Sequence, residues 1–187
     1  MQSIITRLTL TLALSLSLHT FLAAQGTIAK LDEKNGFKDA KLDSDITAFQ
    51  HLVNESCEPG NGPDVSCYTR TTDVLMVGTA SLDKIQYTFY KGSLAAIMVT
   101  ARGLSNVNTF CYAIGSAYGE GKHPYEGVNS VEWNGERVYM TLDVVKGDAK
   151  HEPVLTLVLR STAQMARSKA DRKESSKAAM QKAIDDL

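Results

Sequence analysis

Three cysteines, four histidines and a scatter of carboxylates are the side chains from which this chain could build chemistry. Cys57 and Cys67 bracket a segment, 58–64, with two prolines and two glycines, whose turn-forming residues would bring the two thiols together. Closing so short a loop is worth roughly 2.5–3 kcal/mol in the chain-entropy account. Redox-active pairs usually stand two residues apart beside a helix N-terminus, so this spacing points to a structural staple. Cys111 falls among the apolar positions of an expected helix and reads as a small buried hydrophobe.

His123, with Glu120 and Glu126 on the same loop, is the one grouping that suggests a general base or a metal site. On it rests the alternative of a small hydrolase or ligand-binding enzyme. Against it, no second His or Cys stands nearby at ligand spacing, and the three residues beside Pro124 are what a polar surface loop contains. His51 and His151 are equally isolated. The glycine-rich stretch 115–121 closes a helix, where the dipole repels anions, whereas a phosphate loop opens one. No Gly-x-Ser-x-Gly elbow occurs. The residues therefore supply no catalytic constellation and point to no metal and no cofactor. Tyr90, Tyr112 and Trp133 have a period that turns them away from the expected core, and they make a candidate recognition patch of the aromatic kind enriched in binding hot spots.

The elements that must position these residues follow from periodicity. Residues 36–42 alternate loosely as an edge strand. Ser44 stands as N-cap of a helix carrying Ile46, Phe49, Leu52 and Val53 at helical spacing. Period-two patterns mark strands at 65–71, 74–78 and 82–90, and Lys91-Gly92 turns the last of these into another at 93–101. Ser105 caps a second helix bearing Val107, Phe110, Cys111, Ile114 and Tyr118, which Gly119 ends in a left-handed conformation. Segments 131–133 and 137–145 flank Asn134-Gly135 as a hairpin, and 153–160 is apolar on both faces, as a covered strand should be. No regular helix crossover joins parallel strands. The sum is an α+β domain: an antiparallel sheet of about six strands with two helices packed on one face. Residues 162–187 shift to Ala, Lys, Ser, Asp and Glu and form a polar C-terminal helical tail.

The N-terminus carries an address. Arg7 is the only charge before an apolar run of about 15 residues, too short to span a bilayer, which ends at Ala23 and Ala24. This is a signal peptide, 1–24, cut after Ala24. Leu22 is bulkier than the usual residue two places earlier, which leaves neighbouring cuts open, and an uncleaved anchor is the alternative. The expected division is 1–24 signal peptide, 25–161 single domain and 162–187 tail. The protein is then exported to the periplasm or beyond, a compartment that keeps disulfides, with no stable membrane span once the signal is removed.

The whole chain has 20 basic and 21 acidic residues, a formal charge of −1, and removing Arg7 with the signal makes it −2. A balance with both signs intermixed excludes a nucleic-acid partner of the counterion-releasing kind. The partner class that remains is an envelope protein or cell-surface component. Oligomeric state is not written in the sequence, although Met165, Met180, Ile184 and Leu187 leave the tail open to assembly.

As a set, Gly36-Phe37-Lys38-Asp39-Ala40-Lys41, Tyr87-Thr88-Phe89-Tyr90-Lys91-Gly92, Ser105-Asn106, Ala117-Tyr118-Gly119 and Trp133-Asn134-Gly135 resemble a group of small exported bacterial proteins with no established activity. The likeness runs from about Gly36 to Arg160. It implies bacterial export and a compact α+β domain, and it transfers no catalytic residue. The expected function is a non-enzymatic exported binding domain.

Overall fold

Along residues 154–161 burial alternates strictly, with Leu155, Leu157 and Leu159 at 0–1 % exposure and Thr156, Val158 and Arg160 half-buried between them. The same period-two rule builds the rest of the sheet, since each strand drives one face into the core. The computed structural model describes residues 28–57, 61–126 and 128–186. The expected signal peptide and residues 58–60 of the cysteine loop lie outside them.

A short helix, α1 (28–34), leads into two two-residue strands, β1 (Gly36–Phe37) and β2 (Ala40–Lys41), and a 3-10 turn at Ile46–Ala48. There follow β3 (Leu52–Glu55), β4 (Val65–Arg70), and a second small pair, β5 (Met76–Val77) with β6 (Ala80–Ser81). The long strands β7 (Lys84–Tyr90) and β8 (Ser93–Arg102) come next, then helix α2 (Leu104–Tyr118). The chain ends with β9 (Ser130–Asn134), β10 (Val138–Val145), β11 (Val154–Ser161) and helix α3 (Thr162–Asp185).

The fold is α+β. One seven-stranded antiparallel sheet has the order β3-β4-β7-β8-β11-β10-β9, and the pairs β1-β2 and β5-β6 stand apart from it. On its inner face α2 packs Val107, Phe110 and Ile114, and α1 adds Leu31, which has no exposed surface. The first half of α3 lies on the outer face. Beyond Asp171 every described residue of α3 is exposed. Among the described residues no helix is long and apolar enough to cross a membrane.

Several local expectations are corrected. The helix expected after Ser44 is a single 3-10 turn followed by β3. The Asp45 carboxylate accepts from Thr47 N and Oγ1 at 2.9 and 2.7 Å, which caps one turn, and His51 has φ 58, which no continuing helix permits. The segment's backbone is also taken by the sheet, for Asp43 N donates to Leu94 O, Ile46 N to Gly92 O, and Leu94 N to Ser44 O. Ile46, Phe49 and Leu52 still pack against the core, so the apolar stripe marked burial and not helicity. The edge strand at 36–42 is the tight hairpin β1-β2, because Lys38 has φ 53. Here Gly36, with φ 152, is obligatory: a Cβ on it would lie 2.0 Å from Ala40 O. The strand at 74–78 shrinks to β5. Helix α2 starts at Leu104 after Gly103 with no side-chain cap, so Ser105 sits in its first turn; Gly119 ends it with φ 75 but an extended ψ of −174°. The sheet holds seven strands and not six because 52–55, read as helix, joins it.

Three long-range ties fix the periphery. Asp32 on α1 accepts from the backbone N–H groups of Glu136, Arg137 and Val138 at 2.8–3.0 Å and so closes the β9-β10 turn. Ser161 caps α3 by accepting from Gln164 N at 3.1 Å and donates its own hydroxyl to Asp43 at 2.6 Å. The third is the disulfide Cys57–Cys67, with Cα atoms 5.3 Å apart, which ties the loop to β4.

Candidate ligand-binding cavity

The three aromatic residues singled out by sequence do not form one exposed patch. Tyr112 on α2 is 79 % exposed, but Tyr90 and Trp133 are 7 % and 5 % exposed. Tyr90 faces outward from β7 and is roofed by α3: its hydroxyl donates to Asp171 at 2.6 Å, and the Arg167 guanidinium lies 6.0 Å from its ring centroid. Trp133 pairs across the sheet with Met140, points inward, and donates Nε1–H to Gly119 O at 3.1 Å. Tyr90 therefore faces away from the core as expected but is covered by α3, Trp133 lies on the opposite face from the one expected, and Tyr112 alone is exposed.

The His123 loop closes on the same tryptophan. Cys111, Glu120, His123 and Trp133 line a recess of about 330 Å³, whereas Glu126 is not on its wall. Gly121 is there for close approach, since a Cβ would come within 2.8 Å of Glu132 O and of the Trp133 ring. His123 donates Nδ1–H to Ser130 O at 3.0 Å, which places the ring's basic lone pair on Nε2. No carboxylate pairs with His123 among the described residues. Burial pushes the Cys111 thiol up, away from the thiolate a nucleophile needs. Among the described residues, no three His, Cys, Asp or Glu side chains come together in a way that could hold a metal ion. The recess thus has a histidine and a thiol but neither activated.

A different cavity has a wall built mainly of aliphatic and aromatic side chains, and it arises from the sequence of α2. On the helix face between Phe110 and Ile114 stand two small residues, Ala113 and Ala117, four apart. Opposite them are Met140, Leu157 and Leu159 of the inner sheet face, and the alanines leave about 290 Å³ unfilled. The two small hairpins close the sides, β1-β2 with Phe37 and Lys38, and β5-β6 with Met76 and Val77. Lys34 of α1 and Lys38 stand at the rim, and no Asp or Glu lines the wall. The Lys38 ammonium reaches across the mouth to the backbone carbonyl of Val74 and joins the two hairpins. Just outside, Val74, Leu75 and Met76 are 67 %, 40 % and 48 % exposed, an apolar lip.

An ionic network that runs from the surface into the core holds the β1-β2 hairpin in place. Arg70 of β4 clasps Asp39 with both terminal nitrogens at 2.8 and 2.7 Å, and its Nε donates to Asp73 at 2.8 Å. The other Asp73 oxygen accepts from Tyr87 at 2.8 Å, and the guanidinium stacks 5.5 Å from the Tyr87 ring centroid. The Arg70 hydrogen bond holds Asp39 below the usual carboxylate range, and burial followed by the Asp73 bond pushes the Tyr87 hydroxyl well above its ordinary value. The network is satisfied and closed, so its role is to anchor the hairpin that carries Phe37 and Lys38.

Periodicity showed α2's apolar face but not the gap in it. The signal available was the pair of alanines four residues apart, together with the run Val74-Leu75-Met76 beside a turn. No protein-family model, curated protein or solved structure matches the chain.

Proposed function

We propose that this protein is an exported, non-enzymatic binding domain that takes a small apolar-bodied ligand into the cavity between α2 and the two small hairpins. The observation that carries this reading is an apolar wall with two lysines at its mouth. The recess opens to solvent beside Lys34, Met76 and Ala117, and an apolar ligand body seated in it would take exposed apolar surface out of water, at about 25 cal/mol per Å².

Export rests on the signal-like segment 1–24, and the Cys57–Cys67 bridge is the kind of bond an oxidising compartment maintains. The binding reading is favoured over the small hydrolase at Glu120, His123 and Glu126 because the His123 recess lacks an activated base or nucleophile. An envelope protein or cell-surface component remains the partner class for the outer surface, with the cavity as a separate ligand site.

The test uses a neutral apolar probe. 1-Decanol titrated into the purified protein should raise Tm saturably, by about 5–10 °C at a hundred times Kd, since that concentration adds about 2.7 kcal/mol. Ala113→Leu with Ala117→Leu fills the space and should abolish the shift while keeping the helix, because Leu is nearly as good a helix former as Ala. A wild-type protein with no saturable shift overturns the reading.

A further inference from the structure

We infer that the ligand class of this cavity is a single-chain amphiphile with an anionic head, a medium-chain carboxylate, whose head group is received by Lys34 and Lys38; this rests on the reading of the cavity as the ligand site.

The division of chemistry along the cavity carries the inference. Its wall is made mainly of Phe110, Ile114, Met140, Leu157 and Leu159, and its polar side chains are the phenol of Tyr118 and the two lysines. A sugar or a peptide backbone placed there would lose most of its hydrogen bonds to water, with one phenol to replace them. The charge on the lining has one sign. Lys34 is exposed and its ammonium has no carboxylate partner among the described residues. Lys38 is half-buried, lies 6.0 Å from the Phe37 ring centroid, and among the described residues makes its hydrogen bond to the Val74 carbonyl. The acid next to it in sequence, Asp39, is held by Arg70 through both oxygens and forms no ion pair with Lys38 among the described residues. Two cations over an apolar shaft complement an anion attached to a hydrocarbon chain, and they repel a cationic amphiphile.

A recess of about 290 Å³ suits a medium chain, and a much longer one emerges past the apolar lip of Val74, Leu75 and Met76. The lysines also explain how a ligand enters. The Lys38 bond to Val74 is the direct tie between the two hairpins across the mouth, and a carboxylate is a stronger acceptor for an ammonium than a backbone carbonyl. Arrival of the head group exchanges that bond and frees the β5-β6 hairpin from β1-β2.

The experiment is calorimetric titration of the purified protein with decanoate, 1-decanol and decyltrimethylammonium, three probes with the same chain and different heads. Decanoate should bind about tenfold more tightly than the alcohol, and the cation more weakly than either. Lys34→Gln with Lys38→Gln should bring decanoate to the level of the alcohol and leave the alcohol unchanged. Lys34→Gln alone, at an exposed position, gives a partial loss with no risk to folding. Equal affinity for decanoate and decanol, or lysine variants that bind decanoate like the wild type, overturns the anionic class and leaves the cavity reading standing. If none of the three probes binds, and Ala113→Leu with Ala117→Leu changes nothing, the cavity reading itself falls and this inference with it.

Discussion

The hydroxyl of Tyr90 donates to the carboxylate of Asp171, 81 residues later, at 2.6 Å, and the ammonium of Lys91 meets the same oxygen at 2.6 Å. One carboxylate on α3 thus receives both side chains at the end of β7, while the Arg167 guanidinium faces the Tyr90 ring. The Lys91 and Tyr90 hydrogen bonds hold Asp171 below the ordinary carboxylate range. A carboxylate depressed in the docked state favours docking above its undocked pKa of about 3.9, and that contribution is lost as pH falls through the lower, docked value. Protection factors for the amides of 162–171, referred to the intrinsic exchange rate at each pH, should therefore be high at pH 7 and fall below about pH 4. Asp171→Asn should show low protection factors at both pH values. Protection of the wild type that does not change between pH 7 and pH 3 would show that the latch does not hold α3.

Arg70 joins two acids of unequal burial, and the inequality makes a prediction. Asp39 is 68 % exposed at its side chain and Asp73 is 4 % exposed. Asp39→Ala removes one partner at the surface, where an ion pair contributes about 0–1 kcal/mol. Asp73→Ala leaves the buried Tyr87 hydroxyl without its acceptor and half of the Arg70 guanidinium unpaired, at a cost of about 3 kcal/mol. Urea denaturation of the two variants reads the difference directly. Equal midpoints would mean that the buried half of the network does not stabilise the fold.

The sheet was largely legible in advance, and the reasons are local. Residues 84–90, 93–102, 138–145 and 154–161 alternate, and nothing competes with the strand they form. At 46–53 the spacing of Ile46, Phe49 and Leu52 suits a helix and an irregular core segment equally well. The choice was made by partners far away in sequence, Gly92 and Leu94, whose backbone groups pair with this segment. Tyr90 is covered for a similar reason, because α3 docks over the outer face of β7 through a residue 81 positions away, whereas Trp133 is buried because its strand turns it into the core. The cavity was illegible from period alone: Ala113 and Ala117 satisfy an apolar stripe whether or not the residues opposite reach them. The sequence shows the glycines at 119–121 only as the close of a helix, and the placement of Trp133 shows that Gly121 is required by contact.

Reducing the Cys57–Cys67 bridge should separate stability from binding. The bridge constrains the unfolded chain, so replacing both cysteines by alanine should lower stability by roughly 2.5–3 kcal/mol, read from the denaturation midpoint. Cys67 belongs to the outer face of β4, with its sulfur 3.7 Å from Thr88 Oγ1, whereas the cavity lies on the inner face. The decanol affinity of the folded variant should therefore equal that of the wild type. A loss of affinity in the still-folded variant would mean that the bridge shapes the site.

Gly36 links the hairpin's backbone to the cavity's wall. A Cβ there would stand 2.0 Å from Ala40 O across the β1-β2 pair, and φ at this position is 152°, so Gly36→Ala meets both a clash and a disfavoured backbone. The hairpin cannot keep its register, and the cost should be about 2 kcal/mol or more, in the range of strained backbone sites. Phe37 and Lys38 then leave the cavity wall together. Gly36→Ala should weaken decanoate binding through the loss of Lys38 and decanol binding through the loss of Phe37. This differs from Lys34→Gln with Lys38→Gln, which should affect the carboxylate alone. Calorimetry with both probes on both variants distinguishes a wall that has opened from a charge that has been removed, and a Gly36→Ala protein that binds decanol normally would place the hairpin outside the site.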